Sequence, residues 1–327
     1  MKQFLLYFIV FVFLFSCQDQ PKTSEEESPA RQVAQYTIEQ FYKSSEVFGG
    51  AISTDDSKLL VTSNESGIYN AYEIDIASGQ KIPRTNSTKD AVFASSYIPG
   101  THHFIYSSDK GDNEISHLYL KAGTTVKDLT PGEKEKANFG GWSRDGKTLY
   151  YSSNKRNPQY FDQYKMDTAT WTPRMIYKND NGFDVAAMSD NERYLVLTEN
   201  LTTSSNNIYL VDQQTKHTKK INTDSTETNN YPLTFSNDNA TLFLITDEGS
   251  EFSYLVKYDI ATGKKEKVYE TNWDVAYMAL SYNEKYRVIY VNEDGKNTLH
   301  LFDHQTGKEL EFTKIADANI LGVGISR

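Results

Sequence analysis

The chain has 327 residues, of which 38% are hydrophobic, and it contains 23 tyrosines, 17 phenylalanines and one cysteine. A chain of this length and aromatic content can bury a large core and favours β-strands. The formal net charge of -10 argues against a nucleic-acid-binding protein, because no basic stripe is present to meet phosphate groups. The single cysteine excludes an intramolecular disulfide.

The N-terminus has the features of an export signal. Lys2 precedes an almost unbroken apolar segment over residues 4–15, which is too short to span a bilayer and suits the core of a signal peptide. The stretch Leu14-Phe15-Ser16-Cys17 resembles the lipobox of bacterial lipoproteins, in which the cysteine is lipidated. We therefore predict a lipoprotein-type signal peptide over 1–17, lipidation of Cys17, and a lipid-anchored protein on the periplasmic or outer-membrane face of the bacterial cell envelope. An ordinary cleaved signal with an incidental cysteine is the alternative.

Residues 18–35 are polar, charged and free of aromatic side chains, which predicts a flexible tether. Thr37, with Gln40 three residues later, predicts a capping box for a short helix through Phe41 and Tyr42. The tether would hold the domain that follows a short distance from a membrane.

The remainder of the chain repeats with a period of about 45 residues. Anchor serines mark the repeat, and Ile98 stands at the one position where the serine is missing. The anchors are Ser53, Ser143, Ser189, Ser236, Ser281 and Ser326. Each of the first five begins a turn-forming stretch rich in Asn, Asp or Gly. A short apolar run such as Leu59-Leu-Val or Leu242-Phe-Leu follows, as expected for a buried strand.

Two polar positions recur within these copies. Eleven residues after each anchor stands a residue whose side chain can bond the backbone of a turn, namely Asn64, Asp109, Asn154, Asn200, Asp247 and Asn292. A later strand ends on an acidic residue in five copies, at Asp75, Asp167, Asp212, Asp259 and Asp303. We interpret these acidic residues as turn or cap residues rather than ligands. Segments such as Ala91-Val-Phe-Ala and Val275-Ala-Tyr-Met supply a further strand.

A period of 40–50 residues carrying about four strands is typical of a β-propeller blade. Such blades pack radially, because a lone four-stranded sheet of this size leaves both faces exposed. The sequence thus predicts an all-β fold over 36–327, a β-propeller of about 45-residue four-stranded blades, with six blades plus the start of a seventh at Ser326. We expect this propeller to be C-terminally incomplete.

Four stretches carry a family resemblance: Tyr36-Thr-Ile-Glu-Gln-Phe-Tyr, Gly49-Gly-Ala-Ile-Ser-Thr-Asp-Asp-Ser-Lys-Leu-Leu, Ser63-Asn-Glu-Ser-Gly-Ile-Tyr-Asn-Ala-Tyr and Trp142-Ser-Arg-Asp-Gly-Lys. They resemble the N-terminal β-propeller of bacterial serine peptidases of the prolyl oligopeptidase family, including its dipeptidyl peptidase IV-like members. The resemblance implies a C-terminal α/β-hydrolase domain with a Ser-Asp-His triad in the parent protein. It also implies a propeller that admits only short peptides or chain ends to the active site. The paired-glutamate motif of dipeptidyl peptidase IV-type members has no match here.

Three functions remain open on the sequence. The first is the non-catalytic, substrate-gating domain of a prolyl oligopeptidase-type serine peptidase, whose missing hydrolase domain would hydrolyse peptides in the cell envelope. The second is a stand-alone TolB-like propeller lipoprotein that binds an envelope protein, since similar blades occur in that family. The third is a propeller enzyme with catalytic residues around its central channel. The sequence leaves open whether the protein is an enzyme.

No catalytic, cofactor-binding or metal-binding residue is predicted. The nucleophile elbow of α/β-hydrolases needs G-x-S-x-G, and Gly141-Trp-Ser143-Arg-Asp-Gly146 has one residue too many. Ser326 follows Gly324 but is in phase with the anchors, so we interpret it as another blade serine. The six histidines form no zinc motif, and we expect His300 and His304 at the surface. No glycine-rich phosphate-binding loop is present, so no cofactor is expected.

Overall fold

The computed structural model describes residues 34–223, 227–313 and 319–326. The predicted signal peptide with Cys17 and nearly all of the predicted tether lie outside the described residues. The chain divides into two compact units, Met1–Ser44 and Ser45–Arg327. In the described part, no helix is long and apolar enough to cross a bilayer.

The described part of the first unit contains one short helix, α1 (Ile38–Tyr42). The backbone N–H of Gln40 donates to Thr37 Oγ1 at 3.3 Å, and the N–H of Thr37 donates to Gln40 Oε1 at 2.9 Å. These two bonds satisfy N–H groups that the first helical turn leaves unpaired. The predicted capping box and helix are confirmed.

The described part of the second unit contains six antiparallel four-stranded sheets, each built from consecutive strands in chain order. Blade 1 consists of β1 (Val47–Ile52), β2 (Lys58–Ser63), β3 (Asn70–Asp75) and β4 (Lys81–Pro83). Blade 2 consists of β5 (Phe93–Tyr97), β6 (Phe104–Ser108), β7 (His117–Ala122) and β8 (Thr125–Asp128). Blade 3 consists of β9 (Ala137–Trp142), β10 (Thr148–Asn157), β11 (Tyr160–Asp167) and β12 (Pro173–Tyr177).

The other three blades repeat this arrangement. Blade 4 consists of β13 (Asp184–Met188), β14 (Tyr194–Asn200), β15 (Asn206–Asp212) and β16 (His217–Lys220). Blade 5 consists of β17 (Asn230–Phe235), β18 (Thr241–Thr246), β19 (Tyr254–Asp259) and β20 (Lys265–Tyr269). Blade 6 consists of β21 (Asp274–Leu280), β22 (Tyr286–Glu293), β23 (Lys296–Asp303) and β24 (Glu309–Leu310). The predicted all-β fold of six four-stranded propeller blades is confirmed.

Hydrophobic clusters fill the five interfaces between consecutive blades, from blades 1 and 2 to blades 5 and 6. Each cluster contains at least one side chain that is almost fully buried; examples, in blade order, are Phe104, Leu149, Leu197, Leu244 and Ile289. Burying one such side chain stabilises the fold by about 1.5–3 kcal/mol. The blades therefore hold one another in place through their faces.

The segment 319–326 follows blade 6 and has no strand assignment. The N–H of Asn297 donates to Asn319 Oδ1 at 2.9 Å, which fixes the start of the segment to blade 6. Near its end, a Cβ built on Gly324 would stand 3.8 Å from the carbonyl oxygen of Gly50 in blade 1. The start of a seventh blade at Ser326 stays a prediction.

The anchor serines organise the turn between the first and second strands. In blade 4, Ser189 Oγ donates to Asn191 Oδ1 at 2.7 Å and accepts the N–H of Tyr194 at 2.9 Å. The serines at 53, 143, 236 and 281 make the same pair of bonds. In blade 1, hydrogen bonds from the hydroxyls of Ser53 and Ser57 lower the pKa of Asp55 to about 2. The anchor serines found in the sequence therefore mark a turn that recurs between the first and second strands of the blades.

Replacing Ser189 by alanine is expected to lower the free energy of unfolding by about 1–2 kcal/mol, because the buried Ser189 hydroxyl no longer accepts the N–H of Tyr194. Ser204→Ala is the control, since that serine is exposed and its hydroxyl lies 3.5 Å from the nearest partner. Chemical denaturation of both variants checks the difference. Equal midpoints would contradict a structural role for the anchor serines.

The recurring acidic residues end the third strands and close the next turn. Asp75 Oδ1 accepts the N–H of Ser78 at 2.8 Å, and Asp259 Oδ1 accepts the N–H of Thr262 at 2.7 Å. Asp167, Asp212 and Asp303 accept backbone N–H groups in the same way. Their interpretation as turn residues is confirmed.

The first and second strands of every blade shift register once through a β-bulge or a similar irregularity. A bulge adds one residue to a strand, bends it and increases its twist. This bending suits the first strands, which lie where the blades converge.

Candidate functional site

The six first strands surround the middle of the ring. First strands of neighbouring blades contact one another, as β1 does with β5, β13 with β17 and β17 with β21. The fourth strands are at the opposite edge of each sheet. The first strands therefore line a central channel. We call its two ends the turn end, where the anchor turns lie, and the crossover end, where the chain passes from one blade to the next.

At the turn end, Arg144 of blade 3 reaches across the ring to Tyr282 of blade 6. The guanidinium donates from NH2 to the carbonyl oxygen of Tyr282 at 2.7 Å, and its carbon lies 4.2 Å from the centre of the Tyr282 ring. In return, the Tyr282 hydroxyl donates to the carbonyl oxygen of Arg144 at 2.7 Å. These two residues and their partners form what we call the clasp.

Two further residues belong to the clasp. The Arg144 guanidinium donates to Asn237 Oδ1 of blade 5 and lies 3.6 Å from Asp190 Oδ2 of blade 4. Asn237 also donates from Nδ2 to the carbonyl oxygen of Tyr282 at 3.2 Å, and its N–H donates to Glu284 Oε1 at 2.6 Å. Hydrogen bonds and an ion pair therefore connect four blades across this end of the channel.

Sequence reasoning missed the clasp, although a signal was present. Arg144, Asp190, Asn237 and Tyr282 each stand one residue after an anchor serine. The repeat brings this position to the same place in every blade, so the four side chains meet over the channel. Their chemical types differ, which hid the shared position.

The crossover end is more open and more acidic. Aromatic residues near the start of two first strands are exposed there, with Tyr231 at 58% and Phe48 at 44%. Carboxylates outnumber basic groups in the loops between second and third strands. The acidic residues of these loops are Glu65, Asp109, Asp112, Glu114, Asp247, Glu248, Glu251 and Asp294, against Lys110.

The serines considered as nucleophiles do not meet a histidine in the described part of the chain. Ser143 Oγ donates to Asp145 Oδ1 at 2.6 Å and serves its turn. Ser326 borders a cavity of about 200 Å³, which it shares with Ser53, Tyr97 and other residues of blades 1 and 2. Within residues 34–223, 227–313 and 319–326, no group of three or more His, Cys, Asp or Glu side chains is placed to hold a metal ion.

Three of the six histidines, His117, His300 and His304, are less exposed than their sequence positions suggest. His117 is buried, and its Nδ1 lies 2.8 Å from Asp128 Oδ2. His300 and His304 are partly buried rather than at the open surface, and His304 packs its ring 5.7 Å from that of Phe243. Burial, together with the nearby Arg287 cation, lowers the pKa of His304.

The fold and the clasp define a propeller whose central channel is bridged at one end. Residues 88–324 match the family model of the prolyl oligopeptidase N-terminal β-propeller domain. The chain belongs to this family of propeller domains.

Individual relatives match over smaller or more divergent regions. Dipeptidyl aminopeptidase BIII of Pseudoxanthomonas mexicana is 39% identical over 89 residues, which are 26% of this chain and 12% of that protein. A prolyl endopeptidase structure has a TM-score of 0.63 at 12% identity, covering 85% of this chain and 45% of that one. Prolyl oligopeptidase B of Galerina marginata has a TM-score of 0.57 at 13% identity, covering 84% of this chain and 43% of that one.

One further structure is similar to the same propeller. An oligogalacturonate lyase in complex with manganese has a TM-score of 0.58 at 13% identity, covering 80% of this chain and 74% of that one. At such identities the structural likenesses show the fold alone. The chain spans less than half the length of the two prolyl oligopeptidase-type structures.

Proposed function

We propose that this chain is the substrate-gating propeller of a prolyl oligopeptidase-type serine peptidase. The observation that carries the proposal is the difference between the two channel ends. Side chains from four blades bridge the turn end, whereas aromatic rings are exposed at the crossover end. A channel bridged in this way excludes folded proteins and admits thin, extended chains.

The family assignment supports the same proposal, because these propellers are named as the N-terminal domains of prolyl oligopeptidases. Hydrolysis would be the task of an α/β-hydrolase domain in the parent protein, and peptides would be its substrates. We further propose that Cys17 is lipidated and that the protein works in the bacterial cell envelope. The apolar N-terminal segment followed by Cys17 supports this placement.

The first test is to read the native locus beyond codon 327. An open frame that contains G-x-S-x-G and a later Asp and His would supply the hydrolase domain. A stop codon within about one blade length would overturn the gating proposal. It would favour a stand-alone, TolB-like lipoprotein that binds another envelope protein. Peptidase activity of the propeller alone would instead point to catalytic residues around the channel.

The second test uses the intact protein with the clasp opened by Arg144→Ala and Tyr282→Ala together. We expect hydrolysis of long peptides to rise several-fold relative to a dipeptide amide, because the bridge across the turn end is lost. Lys147→Ala is the matched control, since Lys147 lies in the same turn and is exposed. An unchanged ratio of long to short substrates in a folded double variant would contradict a gating role for the clasp.

A further inference from the structure

Three aromatic rings from two blades meet at the crossover end and form what we call the aromatic triad. Phe48 lies in β1, Tyr69 directly precedes β3, and Phe93 begins β5. The ring centres are 5.5 Å apart for Phe48 and Tyr69, 5.3 Å for Tyr69 and Phe93, and 6.4 Å for Phe48 and Phe93. Phe48 is 44% exposed, and the other two rings are partly exposed. The rings therefore present an aromatic surface to solvent.

A carboxylate is fixed at the edge of the triad. The Tyr69 hydroxyl donates to Glu46 Oε2 at 2.6 Å, and this bond raises the pKa of Tyr69. The N–H of Glu46 donates to Asn64 Oδ1 at 2.7 Å, which holds the backbone of Glu46 against blade 1. The negative charge and the aromatic rings thus have a defined relative position.

The backbone after Phe48 is shaped to present its ring. Gly49 has a φ of +76°, a backbone conformation that residues other than glycine rarely adopt. The register of β1 against β2 shifts at this point, between Phe48 and Ala51. A bulge changes the direction of a neighbouring side chain. The positive φ of Gly49 and the register shift thus lie directly beside the exposed Phe48.

Among the described residues, no Lys or Arg side chain lies over the aromatic triad or pairs with Glu46. Elsewhere, Lys or Arg side chains lie over aromatic rings, as Lys81 does over Tyr72 and Arg193 over Tyr194. In the described ranges no such pair involves a ring of the triad, and Glu46 has no ion pair. An aromatic face next to a carboxylate is the arrangement that binds organic ammonium groups.

We propose that the aromatic triad and Glu46 form a binding site for the ammonium group of a peptide, either its free N-terminus or a lysine side chain. The ammonium would lie over the ring faces and make a charge-assisted hydrogen bond to the Glu46 carboxylate. The acidic loops at the same end of the channel add attraction for a cation. That such a peptide is a substrate rests on the proposed gating function.

Isothermal titration of the purified chain tests the site with four alanine-rich peptide amides. The first has a free α-amino group, and the second is N-acetylated. The third and fourth are N-acetylated and carry one lysine or one norleucine. We expect at least one charged peptide to bind about tenfold more tightly than its uncharged partner. The pair that differs identifies the source of the ammonium group.

Two substitutions and a control locate the site. Glu46→Gln keeps an acceptor for Tyr69 but removes the charge, and Phe48→Leu removes one ring while keeping an apolar side chain. Each should abolish most of the preference for the charged peptide. Glu251→Gln removes a charge from an exposed position of blade 5 at the same end and should leave the preference intact. Thermal unfolding of each variant verifies that it is folded.

Equal binding of charged and uncharged peptides would overturn the proposed site. So would an equal loss of preference in Glu46→Gln and Glu251→Gln, because the attraction would then be diffuse. These outcomes are independent of the gating proposal, since the titration needs no hydrolase domain. If the chain binds charged peptides selectively but its locus encodes no hydrolase domain, the binding site is supported and the gating function is rejected.

Discussion

Asp162→Ala is expected to lower the free energy of unfolding by about 1–3 kcal/mol, because the buried N–H of Asn179 loses its acceptor and the ion pair with Arg156 is removed. The Asp162 side chain is fully buried and accepts two hydrogen bonds from Arg156, each 2.8 Å long. It also accepts the N–H of Asn179 at 2.8 Å. Asn179 lies in the connection from blade 3 to blade 4, so the carboxylate fixes the junction between two blades.

Asp180→Ala is the matched control for this prediction. Asp180 pairs with the same guanidinium, at 3.3 Å, but its side chain is 55% exposed. Exposed ion pairs contribute little to stability, so we expect an unchanged midpoint of urea unfolding. Similar losses in the two variants would show that Arg156, rather than the buried carboxylate, holds the junction.

Arg287→Met is expected to stabilise the protein by about 1–4 kcal/mol, because it replaces a buried charge that lacks a counter-ion. Arg287 is only 7% exposed, and its Nε has no hydrogen-bond partner. Among the described residues, its guanidinium carbon lies over the Phe302 ring, 5.3 Å from the ring centre. Methionine fits a similar volume and keeps the contact with the ring. A melting temperature below that of the wild type would contradict the prediction.

The same substitution should change how stability depends on pH. The pKa of His304 is lowered in the folded state, first by burial and then by Arg287, so the unfolded chain binds the proton more readily. The stability from neutral His304 is therefore present above its ordinary pKa of 6.5 and is lost as the pH falls through the lower folded value. We expect Arg287→Met to reduce this loss.

Arg193→Met is the control for Arg287→Met. Arg193 donates two hydrogen bonds to Asp212, at 2.8 and 3.2 Å, and lies over the ring of Tyr194. Losing a paired arginine should not stabilise the protein. Urea unfolding between pH 5 and 8 of both variants separates the effect of an unpaired charge from that of any arginine.

The period of the sequence was sufficient to predict six four-stranded blades. Anchor serines, turn residues and apolar runs depend on bonds between residues close in the chain, so their spacing shows directly in the sequence. Thr37 with Gln40, Ser189 with Tyr194, and Asp259 with Thr262 are all pairs of this local kind. The turn role of the acidic residues followed from the same reasoning.

Only the tertiary structure shows the contacts between different blades. The clasp joins Arg144 to Tyr282, and the aromatic triad joins Phe48 to Phe93. These pairs depend on how far each blade turns relative to the next, and that angle is set by packing between blade faces rather than by the repeat. The sequence therefore determined the fold of each blade. The arrangement of the blades around the channel decided which side chains of different blades meet.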